Sequence, residues 1–133
     1  MKPSLKYHTL CVSLFTACNA FGALIWLASP YFTGQKEPWD SPTLYYTGCL
    51  VLGGTAAGCL LPKRFLLWPV GIWVGQAVGF LWCMHLNQRI APLAPLGFIF
   101  FLPIYSLWSL LGSYLGAQAA GFLRLLLHKG VTH

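Results

Sequence analysis

The chain has 133 residues, of which 57% are hydrophobic and only 8% charged, whereas a soluble globular domain carries about 25% charged residues; a water-facing surface cannot be built from it. Eight Lys and Arg stand against two acids, a formal charge of +6, but these bases are scattered between long apolar runs and form no stripe suited to nucleic acid. Membrane insertion accounts for both facts, because four runs reach the roughly 20 apolar residues needed to cross a hydrocarbon core of about 30 Å.

The first run, about residues 8–32, follows Lys2 and Lys6 as a secretory signal would. It is longer than the apolar stretch of about 7–15 residues in such a signal, and Trp26 stands two before Ala28, where a cleavage site needs small residues. It therefore reads as a retained helix. The loop 33–41 follows, within the stretch Lys36-Glu37-Pro38-Trp39-Asp40-Ser41-Pro42, and it holds both acids of the chain. Ser41 and Pro42 predict the start of the second helix, 42–61: the hydroxyl accepts a free backbone N–H, and proline lacks a donor that would go unpaired there. Asp40 complements the positive end of that helix, and Trp39 reads as an interfacial anchor. Glu37 is left over, with Lys36 or Arg89 as its expected ion partner.

Lys63 and Arg64 lead into the third helix, 65–86. The fourth, 96–127, has 32 residues and would rise about 48 Å, more than a bilayer core needs. Pro103 predicts a kink, or a re-entrant start over 91–103, because it removes a backbone donor and crowds the preceding turn. Six basic residues (Lys2, Lys6, Lys63, Arg64, Arg124, Lys129) fall on one side of the spans and two (Lys36, Arg89) on the other. The richer side should face the cytoplasm. Tyr31, Trp39, Tyr45 and Tyr46 then form an outer aromatic belt, with Trp68 near the inner one. The expected fold is all-α: a single integral-membrane four-helix bundle with both termini cytoplasmic, the outer loops being periplasmic if the chain is bacterial.

Small residues at spacing four let helix backbones approach closely. The first helix offers Cys18 and Gly22, the second Gly54 and Gly58, the third Gly71, Gly75 and Gly79, and the fourth Gly112, Gly116 and Ala120. These stripes suit packing within the bundle; four of them are also enough to leave one over for a partner protein or a second copy. Asn19, Gln76 and Gln118 lie deep in the runs, with no Asp, Glu, Lys or Arg near any centre, so the usual mark of ion-coupled transport is missing. Asn19 and Gln76 fall at similar depth and predict either one interhelical hydrogen bond, worth about 0.6–2 kcal/mol, or the lining of a path for a neutral solute.

Cys11, Cys18, Cys49, Cys59 and Cys83 all lie inside runs and no pair has CxxC spacing, so they read as small packing residues rather than exchanging thiols. His8 and His128 lie near one face and His85 near the other, each beside a helix end, which predicts solvated interfacial histidines and no haem, metal or other cofactor. Glu37 and Asp40 could meet His85, Asn87, Gln88 and Arg89 at the outer face, a set able to bind a head group or move protons. No nucleophile motif, metal spacing or phosphate loop accompanies them, and an enzyme is not expected.

The order Glu37-Pro38-Trp39-Asp40-Ser41-Pro42 with Tyr45, then Leu61-Pro62-Lys63-Arg64-Phe65, Gly75-Gln76 and Pro95-Leu96-Gly97, resembles a group of short four-helix bacterial membrane proteins with no assigned function. The resemblance covers about residues 37–121, implies an inner-membrane location and transfers no catalytic residue. The expected function is a non-enzymatic accessory or assembly subunit, in the lipid bilayer, packed against a larger membrane complex. The alternative is a small homo-oligomeric channel or transporter for a neutral or weakly polar solute, using Asn19 and Gln76.

Overall fold

Long apolar runs contain few side chains that compete for backbone hydrogen bonds, so the main chain pairs with itself locally as helix. In the computed structural model, which describes residues 5–35, 37–41, 43–86 and 94–130, the described segments form four α-helices and two short 3-10 turns. The helices are α1 (Leu5–Thr33), α2 (Tyr45–Leu60), α3 (Leu67–Leu86) and α4 (Ala94–Gly130); the turns are Pro38–Asp40 and Pro62–Arg64. Three stretches, Leu5–Thr33, Leu67–Leu86 and Phe98–Leu127, are long and apolar enough to cross a membrane. α2, with 16 residues, rises only about 24 Å.

The second helix starts later than Ser41 and Pro42 predict. Leu44 occupies its N-cap without a side-chain cap, while the Ser41 hydroxyl accepts the Thr43 N–H at 3.1 Å and the Thr43 hydroxyl accepts the Tyr45 N–H at 3.3 Å. Pro38 begins its own turn, which carries Trp39 into the bundle, and the chain needs residues 41–44 to return. Asp40 thus belongs to a separate turn and does not sit in the first turn of α2; Pro42 lies outside the described residues.

α4 runs as one helix from Ala94 across Pro103 to Gly130, so residues 94–103 do not form a re-entrant segment, and 91–93 lie outside the described residues. α1 ends at Gly34, whose φ of 72° only glycine adopts without strain. Its N–H reaches back to the Pro30 carbonyl at 3.2 Å, closing the last turn.

The tightest interfaces join α1 to α3 and α2 to α4, not neighbours in the chain. Partners within each pair run parallel: Gly71, Gly75 and Gly79 pass Cys18, Asn19 and Ala23 in that order. A Cβ added to Gly54 would strike the Ser109 carbonyl oxygen, and one on Gly112 the Val51 carbonyl oxygen. Gly58 and Ser113, then Gly116 and Thr55, repeat the relation one turn on. An offset of 58 residues carries each of these α2 positions onto its α4 counterpart, so the interface has a local twofold. An offset of 53 does the same for Gly22 against Ile72 and Gly75 against Asn19.

All four stripes are therefore consumed inside the chain, and none is left over. Ala120, one turn beyond Gly116, is half-buried. One cluster of buried side chains (Ile25, Tyr46, Leu50, Trp68, Ile72 among them) fills the middle of the bundle, and Trp26, Phe80 and Leu102 form a second toward the 33–44 linker.

Gly54→Ala pushes a methyl into backbone that cannot rotate away and should cost about 1–3 kcal/mol. Gly48, in the same helix, faces open space, and Gly48→Ala should gain about 0.5–1 kcal/mol from lost chain freedom. Thermal unfolding of the two variants checks the contrast; equal effects would contradict the seam.

Candidate functional site

Gln76 has no exposed surface, and Tyr46, 2% exposed, donates its hydroxyl to the Gln76 Oε1. The Tyr46 ring lies 4.8 Å from that of Tyr105, so α2, α3 and α4 meet at this point. Asn19 does not join them. Its Nδ2 donates to the Phe15 carbonyl of its own helix at 2.9 Å, because Gly75 brings the α3 backbone directly against the Asn19 carbonyl and leaves its amide no route across. The expected Asn19–Gln76 hydrogen bond is absent, and Gln76 is sealed by packing instead of lining a path.

Tyr46 is a core residue, not part of an aromatic belt. Its spacing of four from Leu50, which is itself four from Gly54, was the available signal, since all three share one buried face. Among the described residues no acceptor reaches Gln76 Nε2 or Trp26 Nε1. Gln118 is exposed on α4 beside Gly116, whose carbonyl accepts the Cys59 thiol at 3.2 Å near the end of α2. It lies at the bundle's periphery and not among the deep polar groups.

Trp39 also turns inward. Its ring meets Trp26 edge-on at 4.7 Å and lies within 6.4 Å of Phe80 and 6.2 Å of Phe101. The indole N–H donates to Glu37 Oε2 at 2.8 Å, which supplies the partner for Glu37 that sequence reading sought in Lys36 or Arg89. The Ser29 hydroxyl, donating to the Gln35 carbonyl at 3.0 Å, folds the linker over the bundle so that this can happen. Burial pushes the Glu37 carboxyl above the usual carboxylate range; the Trp39 hydrogen bond opposes that shift, and the neighbouring Asp40 charge adds to it.

Asp40 is exposed, as is His85 at the end of α3, and among the described residues His85 pairs with neither acid. Arg89, Asn87, Gln88 and Lys36 lie outside the described residues. No group of three or more His, Cys, Asp or Glu able to hold a metal occurs among the described residues. The five cysteines are free, with Cys18 buried against Gly71.

The described residues also leave concave regions on the surface of the bundle. A groove of about 400 Å³ runs between α1 and α2, walled by Leu14, Ala17, Phe21, Gly53, Ala56 and Leu60. At the end of the bundle opposite Glu37, Arg64 borders a cavity of about 290 Å³ with Tyr7, His8 and Phe15. Comparison with protein-family models, curated proteins and solved structures finds no match.

Two outcomes follow from the buried polar contacts. Tyr46→Phe strands the Gln76 amide and should cost about 1–3 kcal/mol, and adding Gln76→Leu should restore much of it; a double-mutant cycle by thermal unfolding checks this coupling. A carboxyl raised in the folded state stabilises fully below its ordinary range and loses that contribution as pH rises through the folded value. Glu37→Gln keeps an oxygen for Trp39 and removes the charge, so at neutral pH it should melt at or above the parent, with the difference vanishing in acid. A melting point that drops at neutral pH would contradict this.

Proposed function

We propose that the chain is a multi-pass inner-membrane protein, its basic end cytoplasmic and its 33–41 loop outside, serving as a non-enzymatic accessory subunit. It holds a transmembrane helix of a larger protein in the groove between α1 and α2. The membrane placement is supported by the three spanning-length helices and by the six-to-two division of basic residues.

The groove carries the rest of the reading. Most of the outer surface bears bulky groups such as Leu24, Val78, Leu81, Ile104 and Leu115. The groove instead shows Ala17, Gly53 and Ala56 between Leu14 and Leu60, which is the surface that lets another helix approach closely when apolar contact alone gives no advantage over lipid. The four internal stripes no longer support a partner, because they face one another.

Ala56→Leu fills the groove without touching either seam. After mild-detergent extraction from the native membrane, native mass spectrometry should show a stoichiometric foreign membrane subunit with the parent chain and with the control Leu107→Ala. It should be missing with Ala56→Leu at unchanged melting temperature. A homo-oligomer alone, active in solute flux in liposomes, would establish the channel reading instead; a subunit retained by Ala56→Leu would remove the groove from the argument.

A further inference from the structure

The chain's two acidic side chains, Glu37 and Asp40, lie past the far end of α1, whose 29 residues separate them from Lys6 by about 43 Å. Lys63, Arg64 and Arg124 gather with Tyr7 at the near end. Neither of these acidic side chains can reach them across that distance.

Arg64 is the best placed of these. It closes the turn Pro62–Arg64, its N–H donating to the Leu61 carbonyl at 3.1 Å. The turn is clamped from both sides: the Trp68 indole donates to the Leu61 carbonyl at 3.2 Å, and the buried Ser113 hydroxyl donates to the Phe65 carbonyl at 2.7 Å. Arg64 therefore stands on a fixed base between two cavities. One, about 290 Å³, has His8 and Arg64 at a polar mouth above Val12, Phe15 and Leu67; the other, about 320 Å³, pairs Lys63 and Arg64 with Leu66 and Val70.

We propose that this end binds one anionic phospholipid: Arg64, with Lys63 and His8, holds the head-group phosphate, and the acyl chains lie along the apolar walls on either side. A guanidinium presents two parallel donors to a phosphate, which an ammonium does not, and basic pockets between helices on the cytoplasmic side suit such head groups. A free phosphate would leave the apolar walls unfilled. The proposal rests on the membrane placement above but not on the partner helix.

The test begins with alkaline carbonate treatment of membranes. If carbonate releases the chain, the membrane placement fails and this site falls with it. If the chain stays, purified protein in neutral detergent is titrated with dioleoyl phosphatidylglycerol, dioleoyl phosphatidylcholine or inorganic phosphate, and followed by native mass spectrometry and melting temperature. Phosphatidylglycerol should bind and raise the melting point, while the other two should not. Arg64→Gln should weaken it by about tenfold or more, and Arg64→Lys, which keeps the charge, by an intermediate factor. Arg124→Gln should change it much less, and every variant should melt like the parent without lipid. Equal binding of phosphatidylcholine, equal protection by inorganic phosphate, or equal losses at Arg64 and Arg124 would overturn the site.

Discussion

At the centre of both helix pairs a carbonyl oxygen of one helix occupies the space where a side chain of the other would begin. Gly54, Gly58, Gly112 and Gly116 each meet such an oxygen across α2 and α4, and Gly22 and Gly75 do so across α1 and α3. Contacts this close bring many weakly attracting atoms into range at once. They also exclude every residue larger than glycine, so they select the partner as well as the distance. Because reciprocal positions meet, each pair is parallel. Parallel helices cannot be joined by a tight turn, so each connection must lead to the other pair.

The remaining polar chemistry follows from that arrangement. With α3 drawn against α1, Gln76 points toward α2 and finds Tyr46; with α4 drawn against α2, Ser113 reaches the Phe65 carbonyl and fixes the turn before α3. The 33–44 linker crosses the end of the bundle, and Trp39 fills the space above Trp26 and Phe80. Glu37 is then carried into partial burial by its neighbour, and the indole N–H that brings it there is also what satisfies it.

How much of this could be read from the residues depends on the range of the interaction. Apolar runs near Leu5, Leu67 and Phe98 announce helices because helix formation and burial are local, and the stripes at Gly71, Gly75 and Gly79 or Gly112 and Gly116 are visible as spacing. Which stripe meets which is not local. The offset of 58 that carries Gly54 onto Gly112 and Gly58 onto Gly116 is present in the sequence, yet the residues between show little else in common. Asn19 and Gln76 match in depth, but depth does not report azimuth, and the Gly75 contact turns them apart. Ser41 and Pro42 have the chemistry of a helix start; the pull of Trp39 into the core moved that start to Tyr45.

The α1–α2 groove is a consequence of the same pairing. Two neighbours in sequence that are each committed to another helix have little surface left for one another, and α1 and α2 touch only sparsely. A bundle assembled from consecutive neighbours would have closed that space with Leu or Phe. Here Phe21 leans across onto Gly53, and Ala17 and Ala56 leave the rest shallow and smooth. The internal seams thus account for the fold, and by separating α1 from α2 they also create the small-residue surface on which a further helix can lie.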